Sequence, residues 1–235
     1  MTDSRLTQLY TLAWPAACAL LLLLLVDATP MDTWISSWFF DADKGVFTFN
    51  DNFLFKRVLH DWARNGAYIS ALLLLIGLVL SKTANQPGWR RPLTFMFISM
   101  LVSTGSIALI KYFSNIHCPN MLLEYGGQFQ RVELFEANSF HQKPGRCWPS
   151  GHASTGFCFL AFFYAARVYR PRWALPCLLV AISLGALYGV SQTVRGVHFF
   201  SHGLWTGLII WAINIVLAAG LLPPKLEVSV IRGKS

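Results

Sequence analysis

The sequence predicts an all-helical protein that crosses a lipid bilayer about six times, and three observations carry that expectation. Hydrophobic residues make up 54% of the 235 residues and charged residues 13%, a balance suited to hydrocarbon rather than water. The apolar residues gather in uncharged runs near the roughly 17–25 residues that a ~30 Å hydrocarbon core requires. With six spans both termini share a side, and that side receives ten of the 19 basic residues against only Asp3 and Glu227. The opposite side balances nine basic with nine acidic residues. This asymmetry follows the positive-inside rule, so the net charge of +8 is read as orientation rather than nucleic-acid binding. Both termini are expected in the cytoplasm, with two long loop regions outside, in an integral protein of a bacterial inner membrane. The whole chain, 1–235, reads as one membrane domain.

The first expected span, 6–26, contains the leucine run 20–25 and Pro15 near a helix start or kink. It exceeds the length of a signal-peptide core, and Asp27-Ala28-Thr29-Pro30 is a poor cleavage site, so it is expected to be retained as an anchor. Residues 27–64 mix Trp34, Trp38, Phe47, Phe53 and Trp62 with charges, as an aromatic belt at the headgroups does. The second span is expected over 65–81, and the third over 92–110 after a short basic loop. Lys111 ends the third span, and a single lysine there is most simply a snorkelling interface residue. The long segment 112–149 carries turn signals rather than a separate domain. The fourth run, 153–166, is short for a span unless the residues before it also lie at membrane depth against protein. A basic turn, 167–172, leads to spans over 173–194 and 203–222.

Pro149-Ser150-Gly151-His152 is the stretch around which the chain is organised. Gly151 lets backbone N–H groups approach an anion, Ser150 adds a hydroxyl donor, and a helix beginning near His152 directs its positive end to the same point. Ser and Pro before an apolar run are by themselves more often a helix cap. The topology, however, brings Lys111, Ser150, Gly151, His152, Gln192, Arg195, His198 and His202 to the outer ends of spans three to six. Ionisable groups gathered at one depth beside a bilayer are costly unless paired or used.

These residues, in this order, resemble the type 2 phosphatidic acid phosphatase family of membrane phosphatases. That family carries a lysine followed after six residues by Arg-Pro, a Pro-Ser-Gly-His box, and Ser-Arg followed by His after five residues and Asp after three more. Here the first motif reads Lys111, six residues, Cys118-Pro119; the second is complete at 149–152; the third reads Ser191-Gln192, five residues, His198, three residues, His202. The likeness extends over 111–202. It implies a metal-independent phosphatase with no cofactor, in which His198 is the nucleophile and forms a phosphohistidine, and His152 is the acid for the leaving alcohol. It also implies that Lys111, Ser150 and the Gly151 amide hold the phosphate oxygens. The implied partners are a phosphorylated lipid and the bilayer, with no nucleic acid, and the site would face the periplasm or outside. Phosphatidic acid, phosphatidylglycerol phosphate, prenyl diphosphate and lipid A phosphates are equally compatible.

Three positions depart from that pattern. Cysteine and glutamine stand where two arginines supply bidentate donors, which a lysine does not replace. Arg195, one helical turn after Gln192, is the first candidate to restore a guanidinium, and Arg146 the second. His202 occupies the position of an aspartate, so it can hydrogen-bond His198 without contributing negative charge; Glu124, Glu133 and Glu136 are candidates to contribute it. Three other functions stay open: phosphoryl transfer between lipids, a catalytically weakened lipid-binding or transport relative, and a metal hydrolase using His198, His202 and His152. Cys18, Cys158 and Cys177 fall within spans, whereas Cys118 and Cys147 fall outside, where a disulfide between them is expected in an oxidising compartment.

Overall fold

The computed structural model describes residues 3–134 and 143–223. Its elements are helices α1 (Asp3–Asp27), α2 (Met31–Ser37), α3 (Ala63–Thr83), α4 (Pro87–Phe113), α5 (Gly151–Phe157), α6 (Leu160–Tyr169), α7 (Ala174–Val194) and α8 (Phe200–Leu221). A small antiparallel hairpin, β1 (Phe40–Asp41) with β2 (Val46–Phe47), lies between α2 and α3. Among the described residues, four helical stretches are long and apolar enough to cross a membrane: Leu54–Thr83, Pro87–Phe113, Pro171–Val194 and Phe200–Leu221. The bent pair α1 and α2, turned by 69° at the break, makes a fifth if it is one span. At 1.5 Å per residue, the 27 residues of α4 reach about 40 Å.

The expected fourth span is not one helix. Its residues form α5 and α6 in series, interrupted at Cys158 and Phe159. Ser154 Oγ donates to the Gly151 carbonyl at 2.6 Å and Thr155 Oγ1 to that of His152 at 2.8 Å. Such back-bonding competes with the helical ladder and bends it. Gly156 sits so close to α7 that a Cβ would collide with the backbone of Gly185. A close crossing replaces regular length as the means of burial, and Ala153, Phe157, Leu160 and Ala161 lie in the core between α4, α7 and α8.

The second expected span is longer than its apolar run, because a wide-pitched helical segment, Leu54–Trp62, feeds directly into α3. The aromatic segment before it divides in two. Trp34, Trp38, Phe53 and Trp62 are exposed, as an interfacial belt requires. Phe47 is instead buried with Leu122, Tyr125 and Phe199, so the hairpin is a plug set against the turn between α7 and α8. Gly196 fits beneath it with φ of +70°, and a Cβ there would collide with the Phe47 ring.

The expected bridge is present: Cys118 and Cys147 form a disulfide with their Cα atoms 5.2 Å apart. It closes a loop of about 30 residues, whose lost chain entropy stabilises the fold by about 3–4 kcal/mol on the loop-entropy model. Cys118→Ser with Cys147→Ser is therefore expected to lower the unfolding free energy by that amount, read as a fall in the denaturant midpoint. A midpoint unchanged by the double substitution, and by dithiol treatment of the native chain, would show that the bridge does not contribute.

Candidate active site

The C-terminal ends of α4 and α7 meet the N-terminal ends of α5 and α8, and each brings one part of the expected constellation. Lys111 lies in the last turn of α4, beside the start of α5: a Cβ on Gly151 would stand 3.9 Å from Lys111 Nζ. Ser150 is buried and caps α5, its Oγ accepting from Ala153 N at 3.4 Å. Because α5 has only seven residues, the expected dipole of a long helix at this box shrinks to a few backbone amides. The box is fastened to α8: Ser150 N donates to the His202 carbonyl at 3.2 Å, and Thr206 Oγ1 contacts the carbonyls of Ser150 and His202 at 3.0 and 2.8 Å.

The turn between α7 and α8 carries His198. The amides of Val197 and His198 both donate to the Gln192 carbonyl, at 3.0 and 3.3 Å. His198 and His202 are 3% and 4% exposed, and their Nδ1 atoms lie 3.3 Å apart. Burial holds the imidazolium form of His198 well below its ordinary range, and the nearby Lys111, His202 and His152 add to that effect. A neutral ring, with a lone pair available on one nitrogen, is the form that attacks phosphorus.

Gln192 and Arg195 meet directly. Arg195 Nη1 donates to Gln192 Oε1 at 3.1 Å and Nε to the Asn50 carbonyl at 3.1 Å, while Gln192 Nε2 donates to Ser191 Oγ at 2.9 Å. Arg195 thus stands against the position it was expected to serve. The guanidinium of Arg146, the second candidate, covers the ring of Tyr112, the neighbour of Lys111, 4.4 Å from the centroid. Among the glutamates, Glu124 is exposed, Glu133 pairs with Arg131 at 3.0 Å, and Glu136 lies outside the described residues.

The metal arrangement differs from the one expected. Cys147 Sγ, rather than His152, is grouped with the ring nitrogens of His198 and His202 within 4.8 Å. That sulfur is spent in the disulfide, and the ammonium of Lys111 opposes a cation beside it, so the donor set does not fit a metal.

Two residues near the site carried no signal in the sequence reading. Asp32 is buried, accepting from Ser201 N at 2.9 Å and Ser201 Oγ at 2.5 Å. Asp27 Oδ2 accepts from Trp205 Nε1 at 2.7 Å. Acidic residues immediately after an apolar run are the available signal, which the aromatic-belt reading obscured.

Residues 92–221 match the family model described as the PAP2 superfamily. The chain belongs to the PAP2 superfamily. The match covers more than half of the sequence and contains Lys111, the 149–152 box, His198 and His202, and membership of this superfamily suggests a phosphatase-type activity on phosphate esters. No curated protein and no solved structure matches the chain. Within this PAP2 chain, sequence and structure agree on which helix ends converge, while the N-terminal third, outside the match, supplies Asn50, Phe47 and Asp32 to the same place.

Proposed function

We propose that this protein is a metal-independent membrane phosphatase that removes phosphate from a lipid phosphomonoester or diphosphate at the extracytoplasmic surface, through a phosphohistidine on His198. The observation that carries the reading is the neutral, buried His198 beside the Lys111 ammonium and the open Gly151 backbone. In the first step Nε2 of His198 bonds to phosphorus, the bond from phosphorus to the alcohol oxygen breaks, and His152 gives that oxygen a proton. In the second step water attacks phosphorus, returns a proton to His152, and frees His198. Lys111, the Ser150 hydroxyl, the Gly151 amide and Arg195 neutralise the phosphoryl oxygens, and phosphoryl transfer depends mainly on that positioning and charge. The six-span layout, with both termini cytoplasmic, is part of this reading. It is supported by Arg170 over the Trp89 ring, 5.8 Å from the centroid, which gathers basic residues at the end of the bundle away from the site.

A lipid substrate is supported by an apolar groove of about 480 Å³ between α1, α7 and α8. Gly185, Gly189, Gly203 and Gly207 open it, and its upper end reaches Gly203, the neighbour of His202. A hydrocarbon tail lying in it would bring its headgroup to the site. Ala186→Trp, on the groove wall, is expected to lower kcat/KM at least about tenfold on a long-chain lipid phosphate, since one or two displaced methylenes are worth about 1.4 kcal/mol. Turnover of a short soluble phosphate ester should stay unchanged. Equal effects on both substrates would remove the lipid-tail assignment. Phosphate release that persists in chelator supports the metal-independent route, and its loss would overturn it.

A further inference from the structure

We propose that Asp27 and Asp32, from the end of α1 and the first turn of α2, act through one water on His202 and so supply the negative charge that orients and stabilises His198. The proposal rests on His198 being the nucleophile. For Nε2 of His198 to present a lone pair to phosphorus, the ring proton must be on Nδ1. That Nδ1 lies 3.3 Å from Nδ1 of His202, with the Cys147 carbonyl as the other acceptor at these two rings; when His198 donates to His202, the His202 proton sits on Nε2. A neutral imidazole is a weaker partner for a developing imidazolium than a carboxylate, unless its own N–H is passed on to an anion.

The structure offers that anion. A cavity of about 30 Å³ is lined by Asp27, Asp32, Arg131, Trp148 and His202, and not by His198, so it opens on a part of His202 that does not face the nucleophile. This is room for a single water, which needs two to four polar partners. Trp148 Nε1 is buried without a hydrogen-bond partner among the described residues, and an orphan donor beside a polar cavity is a mark of an ordered water. Asp32 is held rigid by both of its bonds to Ser201 and Asp27 by its bond to Trp205. All three contacts lie in the first turns of the helix that carries His202. Arg131 faces both aspartates and His202, and is paired with Glu133 at 3.0 Å, so the cavity holds two carboxylates beyond that ion pair.

As the phosphorus bond to Nε2 forms, positive charge develops on the His198 ring. The chain from His202 through water to the carboxylates polarises toward it, and no bond breaks beyond those of phosphoryl transfer. Asp27 and Asp32 are thus positioning residues, acting where the family pattern has an aspartate at 202.

The test is a cycle on the purified full chain, with kcat and KM measured on a short soluble lipid phosphate. Asp27→Asn with Asp32→Asn is expected to lower kcat about 10–100-fold with KM unchanged, the scale of an outer-shell partner. His202→Asp puts a carboxylate directly against His198 and is expected to stay active. In that background the two asparagine substitutions should cost less than about threefold, since the charge they remove is no longer needed. Equal losses in both backgrounds, a loss under about twofold in the parent chain, or an inactive His202→Asp chain would overturn the relay. If the double variant does not accumulate, Asp27→Asn alone, which leaves both bonds between Asp32 and Ser201, carries the same comparison. An active His198→Ala would remove the nucleophile assignment itself, whereas an inactive one with equal losses removes only the relay.

Discussion

His198→Ala is expected to abolish turnover, by a factor on the order of 10⁴ or more, because removing a nucleophile that acts as part of a unit takes nearly the whole chemical advantage with it. Rapid-quench labelling with a radiolabelled phosphate ester should show an acid-labile phosphoprotein in the parent chain and none in the variant. His152→Ala should slow departure of the alcohol and hydrolysis of the phosphoenzyme. Substantial activity in His198→Ala would end the assignment. Burial and the neighbouring Lys111 keep His198 in its neutral form well below its ordinary range, so the nucleophile should not be lost as pH falls through about 6.5. Stability behaves differently. Below about 6.5 the unfolded chain takes up a proton at this residue that the folded chain refuses, so folding stability is full above that pH and declines as pH falls beneath it. His198→Ala should flatten that decline, which denaturant titrations at pH 5 and 7.5 would detect.

Arg195→Ala is expected to cost on the order of 2–5 kcal/mol of transition-state stabilisation, the usual loss when a charged donor leaves a dry site. Arg195→Lys should recover only part, because an ammonium lacks the paired donors of guanidinium. Arg195 meets Gln192 side chain to side chain, so Gln192→Arg combined with Arg195→Ala should restore much of the lost rate. An interfacial anchor would instead change KM or expression and leave kcat alone. An unchanged kcat in Arg195→Ala is the result that would remove this role.

How far the sequence could be read depended on where the forces act. The ends of α4, α7 and α8 were legible because hydrophobic length and charge placement are local properties that the bilayer enforces. The disulfide was legible because only Cys118 and Cys147 fell outside the apolar runs. The interruption at Cys158 was not legible, since it comes from Gly156 meeting Gly185 on another helix, which no local pattern records. Phe47 was misread as part of a belt for the same reason. Its burial depends on Tyr125, Gly196 and Phe199, far along the chain. At the site, the residue types announced the chemistry, but the contact between Arg195 and Gln192 and the aspartates at Ser201 and Trp205 required the folded chain.

The fastening of the His198 turn to Asn50 and Phe47 also bears on how divisible this enzyme is. The recognisable half of the chain begins at residue 92, yet the Arg195 guanidinium reaches back 145 positions, to the Asn50 carbonyl well before that boundary. The turn that carries His198 is therefore tied to a part of the chain that lies outside the family match. A chimera joining residues 92–221 to the leading third of a relative would inherit the chemical groups while losing the cover that holds the turn in place.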